Sequence, residues 1–173
     1  TNIIYDVNNP ENGTVEFLDG NGDVVGTMTF TNIESVVACF TPGSMILTDE
    51  GEVPVEDLLP GDRVLTRDSG YQTIRWTGRR DLSAAELAVE PRFNPVFIAA
   101  GALGSGLPVR DILVSPQHRM LISGPKAELL FGEHEVLVAA KHLVGLAGIE
   151  QRVTKAISYI HILFDQHEIV RAD

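Results

Sequence analysis

Short β-prone runs separated by proline and glycine turns constrain this chain more than any other feature. From residue 45 onward the runs fall at Met45–Thr48, Arg63–Arg67, Gln72–Gly78, Val96–Ala99, Ile112–Val114, Arg119–Ile122, Val136–Ala139, Ile157–Phe164 and Glu168–Arg171. Pro42-Gly43, Pro60-Gly61, Ser69-Gly70 and Gly124-Pro125 punctuate them. Such runs need sheet partners, so the spacing predicts an all-β fold. Helix is expected only at Ser83-Ala84-Ala85-Glu86-Leu87, where a serine N-cap precedes helix formers, and as one turn at Ala140–Leu143. Upstream, residues 14–30 predict a hairpin whose arms flank Asp19-Gly20-Asn21-Gly22-Asp23. The Asp19-x-Asn21-x-Asp23 spacing also resembles half a calcium loop. The position of the closing EF-hand glutamate is Phe30, so a plain turn is preferred.

Charge bounds the partners. The formal net charge is −11, and nucleic acid and anionic membranes both demand a basic face. No run of 18 apolar residues codes a membrane span, and Thr1-Asn2-Ile3-Ile4-Tyr5 has no signal-peptide pattern. A chain opening on Thr1 in strand-like sequence is read as a piece of a longer protein. Residues 1–38 carry six acids and no Lys or Arg, whereas residues 39–173 carry 18 acids and 13 bases. The change of regime predicts a boundary between 1–38 and 39–173.

That boundary falls on the only cysteine, Cys39. A lone cysteine cannot staple the fold internally. Its candidate partner is distant, in Ser115-Pro116-Gln117-His118. Ile112-Leu113-Val114 reads as a buried strand and Pro116 as a turn, which delivers Ser115 and His118 together. A histidine there can protonate a leaving amine, and a hydroxyl can bond to a strained peptide. Cys and His alone favour the plainer reading, a packed thiol and a turn histidine bonded to backbone.

The remaining signals are weaker. Glu52-Val53-Pro54-Val55-Glu56-Asp57-Leu58 is echoed by Glu135-Val136-Leu137-Val138-Ala139-Ala140-Lys141-His142-Leu143, which suggests duplicated, pseudo-twofold halves. His134 and His142 read as surface or capping residues, Trp76 as core, and Arg79-Arg80 as a solvated turn. His161 and His167 could share one face at even spacing. A zinc site combining them with Cys39 and His118 is disfavoured by the scattered spacing, and no cofactor is expected.

Cys39-Phe40-Thr41-Pro42-Gly43-Ser44, Ile46-Leu47-Thr48, Gly51–Leu58 and Pro60-Gly61-Asp62-Arg63-Val64 resemble the opening block of Hint (hedgehog/intein) domains. Ser115-Pro116-Gln117-His118 is similar to the family's Thr-x-x-His block, and Tyr159 through His167 to its late block. The closest likeness is to bacterial intein-like domains at the ends of large secreted proteins. The resemblance implies a horseshoe of curved antiparallel strands behind a hairpin lead-in, on a secreted or cell-surface protein and acting as a monomer. It also implies an N-to-S acyl shift in which Cys39 attacks the carbonyl of Ala38. His118 would protonate the departing nitrogen, and Ser115 would hold the scissile Ala38–Cys39 peptide. Water or an external thiol or amine would then release the upstream polypeptide, the domain's own substrate. Inteins usually carry aspartate after the late aromatic residue. Here that slot is Ile160, with Asp165 or His161 as substitutes off the matching place and His167 in the slot of the assisting histidine. Splicing needs a terminal Asn, which Asp173 does not supply, so cleavage without splicing is expected. The alternative is a non-cleaving Hint-like module serving as an interaction domain. A conventional cysteine hydrolase is disfavoured, because Cys39 lacks the usual glycine and helix context. Cleavage requires Cys39 to lie within reach of His118.

Overall fold

The computed structural model describes residues 2–5, 13–30 and 39–172. The chain divides into two compact units, Thr1–Val36 and Val37–Asp173. The expected boundary at Ala38 and Cys39 adjoins residues 31–38, which lie outside the described residues.

In the first unit β1 (Asn2–Tyr5), β2 (Gly13–Leu18) and β3 (Val24–Phe30) form an antiparallel sheet in that order. The turn between β2 and β3 closes on itself. Asp19 Oδ1 accepts the N–H groups of Asn21 at 2.8 Å and Asp23 at 3.0 Å, the self-bonding that suits aspartate to turns. These bonds hold the Asp19 carboxyl below its ordinary range.

The second unit contains β4 (Met45–Thr48), β5 (Gly51–Pro54), β6 (Arg63–Thr66), β7 (Gly70–Thr73), β8 (Trp76–Ser83), α1 (Ala84–Val89), β9 (Val96–Ile98), β10 (Ile112–Val114), β11 (Arg119–Ser123), α2 (Pro125–Phe131), β12 (Glu135–Ala139), β13 (Ile149–Gln151) and β14 (Ala156–Leu163). The strand pairs are antiparallel: β5-β4-β6-β7 form one sheet, β10-β9-β13 a second, and β11-β12 and β8-β14 are two-stranded ribbons. Ser83 caps α1 as expected, accepting the Glu86 N–H while the Glu86 side chain bonds back. Among the described residues no helix is long and apolar enough to cross a membrane.

Three departures from the sequence reading have local causes. The expected strand Gln72–Gly78 splits into β7 and β8, because Ile74 and Arg75 donate to Asp62 and Leu163 instead. Gly124-Pro125, read as a turn, starts α2, where proline at the first helical position has no N–H to lose. Glu168–Arg171 is a bridging segment rather than a regular strand. Arg171 donates to Leu65 and accepts from Leu47, so the segment fills the gap between β6 and β4.

The sequence echo is a structural repeat. In the first half Ser44 donates to Thr41, and Val55 donates to Ser44. In the second His118 donates to Ser115, and Ala140 donates to His118. Each turn opens a hairpin, β4-β5 or β11-β12, that ends in a single 3-10 turn at Val55–Asp57 or Ala140–His142. Leu58 and Leu143 close those turns and are buried. The same turn is thus used twice, with Ser44 and His118 at equivalent places.

Apolar side chains form three clusters. One centres on Val96, Ile98, Val114 and Ile122, and a second on Phe40, Ile46, Val64, Ile74 and Ile160. The smallest comprises Cys39, Leu82, Leu87 and Tyr159. Trp76, expected in the core, is half-buried and lies across Gly78, where an added Cβ would meet the indole at 1.9 Å. Gly78→Ala should therefore lower the unfolding free energy by about 1–3 kcal/mol through overpacking. It should also shift the emission of Trp76, the single tryptophan, as denaturant titration followed by fluorescence will show.

Candidate functional site

The site is built around one residue of backbone. Phe40 N donates to Ile160 O at 3.0 Å, and Ile160 N donates to Phe40 O at 2.9 Å. On its other side Phe40 bridges Val114 at the end of β10. Phe40 is therefore a one-residue strand joining β10 to β14. The two flanking sides of Cys39 are fixed as a consequence.

On the β10 side Ser115 N donates to Cys39 O at 3.0 Å. In a regular ladder the reciprocal bond would run from Cys39 N to Ser115 O. That carbonyl is occupied by the His118 N–H at 2.9 Å, within the Ser115–His118 turn. Cys39 N donates instead to Ser115 Oγ at 3.1 Å. The amide nitrogen of the expected scissile bond is thus held by a side-chain hydroxyl, and the turn at Pro116 is what leaves it to that hydroxyl.

The same turn brings His118 against the junction. Its backbone is pinned by Ala140 N, which donates to His118 O at 2.8 Å. Its ring meets the Phe40 ring edge-on, with centroids 4.6 Å apart. Burial pushes the imidazole down to about 4, opposed by a hydrogen bond with the Cys39 backbone and assisted by the charge of His161. Nδ1 of His118 is buried with no hydrogen-bond partner among the described residues. A buried imidazole nitrogen left unbonded is costly unless another state of the site uses it.

The Cys39 thiol faces Leu82, Leu87 and Tyr159 and is 3% exposed. Burial pushes it well above its ordinary range, with the nearby Arg80 charge opposing. The Tyr159 hydroxyl donates to Phe93 O at 2.7 Å and is also pushed up, first by burial and then by Cys39. The dry surroundings keep the thiol protonated at rest.

The Hint domain family matches residues 38–173. The chain belongs to that family. Among solved structures it is similar to the bacterial intein-like domain from Clostridium thermocellum. The two share 15% identity over 79% of this chain and 94% of that one, at a TM-score of 0.54, a likeness of fold alone. It is also similar, at a TM-score of 0.48, to a splice-inactive variant of the AceL NrdHF class 3 split intein, with 16% identity over 75% of this chain and 87% of that one. None of the curated proteins compared with the chain matches it.

In this Hint domain Cys39, Ser115 and His118 come together, and Ala38 lies outside the described residues. Ile160 pairs with Phe40 through backbone, and its side chain joins the Phe40 cluster on the opposite face from the thiol. Asp165 and His167 are both exposed. Asp165 accepts two bonds from Arg75, at 2.9 and 2.7 Å, which hold its carboxyl below the ordinary range. It lies beyond the end of β14 at Leu163. His134 pairs with Glu128 on the surface, and His142 ends its 3-10 turn exposed. Among the described residues no three His, Cys, Asp or Glu side chains are placed to hold a metal ion.

Arg79-Arg80 is not a turn; both residues lie inside β8. Arg79 bonds to Asp81 and Ser158 on one face. Arg80 lies on the other, its guanidinium carbon 5.6 Å from the Phe93 ring centre and its charge felt by Cys39. The signal was the alternation Trp76, Gly78, Arg80, Leu82, which puts Arg80 on the Leu82 side of the strand.

The depressed His118 pKa predicts a pH dependence of stability. Between about 4 and 6.5 the unfolded chain binds a proton at His118 that the native site resists. The stability this site contributes is therefore full above 6.5 and lost as pH falls toward 4. Urea midpoints measured across that window should fall less steeply in His118→Gln than in the parent chain.

Proposed function

We propose that this Hint domain is a self-processing domain that carries out an N-to-S acyl shift at Ala38–Cys39, ending in cleavage without splicing. The observation that carries the reading is the Cys39 amide nitrogen held 3.1 Å from Ser115 Oγ, beside a buried His118 whose Nδ1 has no hydrogen-bond partner among the described residues. A cysteine nucleophile serving outside substrates needs an exposed thiol. Here the polar groups converge on the backbone of Cys39 itself.

In the step proposed, Cys39 Sγ loses its proton and attacks the carbonyl carbon of Ala38. The new S–C bond forms, and the C–N bond breaks with its electron pair going to the Cys39 nitrogen. His118 supplies the proton that makes that nitrogen an amine. Ser115 keeps the nitrogen oriented throughout. A thioester lacks the resonance of an amide, so the step runs uphill until water, a thiol or an amine captures the acyl group. The upstream polypeptide released is, on the resemblance of the lead-in, part of a secreted or surface protein.

A second reading is favoured by the thiol itself. Its burial and raised pKa suit a domain that holds its junction intact and serves as a folded module. Intact mass after incubation with hydroxylamine or a small thiol separates the two. Self-processing predicts two fragments divided before Cys39, none from Cys39→Ala, and a rate about 10²–10⁴-fold lower in His118→Ala. An intact chain under every thiol and pH condition would leave the second reading standing.

A further inference from the structure

The acyl shift needs two proton transfers, one from sulphur and one to nitrogen, and His118 accounts only for the second. The register around Phe40 supplies a candidate for the first. Phe40 and Ile160 exchange both backbone hydrogen bonds, so they are directly opposite in an antiparallel pair. Extending that register by one residue sets Cys39 opposite His161. Such a flanking pair is of the closer, non-hydrogen-bonded kind, with Cβ atoms about 4.5–5.5 Å apart.

Face assignments along β14 agree. Ile160 and Ile162 belong to the Phe40 cluster, whereas Tyr159 and Ile157 pack with Cys39. His161 has the parity of Tyr159 and therefore stands on the thiol side. Across the ribbon its register partner is Gly78. The absent side chain there leaves room for the Trp76 ring, whose centroid is 6.1 Å from that of His161. His161 is half-buried and close enough for its charge to act on His118. Among the described residues the other titratable or charged groups on this face are Arg80 and Tyr159.

We propose that His161 is the base that takes the Cys39 thiol proton, acting across the strand pair. The proposal rests on the acyl-shift reading. His161 removes the proton from Sγ and becomes a cation, and the thiolate attacks the preceding carbonyl. The proton then passes by way of His118 to the departing nitrogen. No proton is gained or lost overall, and the peptide is isomerised to a thioester.

The experiment compares the parent chain, His161→Gln and Cys39→Ala, after thermal denaturation has shown that each folds. In hydroxylamine at pH 7, His161→Gln should cleave about 10²–10⁴-fold more slowly than the parent. Its rate should climb about tenfold per pH unit toward the parent's, since hydroxide must then make the thiolate. A merely structural role would slow the reaction without changing its pH profile. A variant with the parent's rate and profile overturns His161 as the base and leaves the acyl shift intact.

Trp76 gives a readout independent of cleavage, because a protonated imidazole in ring contact quenches indole emission. A fluorescence titration should show a transition that His161→Gln abolishes. In Cys39→Ala its midpoint should rise by roughly half a unit, because a thiol donating to the neutral ring favours that form. A midpoint unmoved by Cys39→Ala overturns the proposal. If the parent never cleaves but the midpoint moves, the thiol–imidazole pair stands and the acyl-shift reading fails.

Discussion

The backbone exchange between Phe40 and Ile160 is the constraint on which the site depends. It supplies two hydrogen bonds, each worth only about 1 kcal/mol net, yet it fixes the rotation of the chain on either side. Because side chains alternate along a strand, seating Phe40 and Ile160 in one apolar cluster obliges Cys39 to face the other way. The Phe40 ring also buttresses His118. A slip of one residue would put the thiol in the Phe40 cluster and the phenyl ring among the polar groups. Burial of apolar side chains and positioning of the nucleophile are one event.

Chemistry at this junction is a contest between dryness and polarity. Burial keeps the thiol neutral and the imidazole of His118 uncharged, so the resting state holds little charge. In the proposed acyl shift the same burial would make a protonated His118 a strong acid, and so an effective donor to a departing amine. The charge of Arg80 opposes the rise in the thiol pKa. A site of this kind is quiet at rest, and the proposed acyl shift would depend on correct relay of a single proton.

Much of this was legible in the sequence. β4 and β10 begin and end where the β-prone runs do, and the Ser83 cap is a local signal that the structure keeps. Cys39, Ser115 and His118 were legible because each sits beside a turn residue that delivers it. Ile160 and His161 were not separable in the sequence. Both lie in an apolar run, and only the pairing with Phe40 decides which of them shares a face with the thiol. Arg80 was hidden for a related reason: both arginines are exposed, and only the strand shows that they stand on opposite faces. Residues 169–172 lack the pattern of an isolated strand because their partners are the gap between β4 and β6.

The bridges made by β14 and by residues 169–172 have a consequence for timing. Both segments leave the ribosome long after Cys39, and Ser115 follows it by 76 residues. Until they emerge, Phe40 has no partner on its β14 side, and β4 and β6 meet only at Thr48 and Val64. Such long-range pairings form late. The surroundings of Cys39 are therefore assembled only when nearly all of the domain has been made. For the self-processing proposed above, vectorial synthesis would act as a safety catch against premature scission.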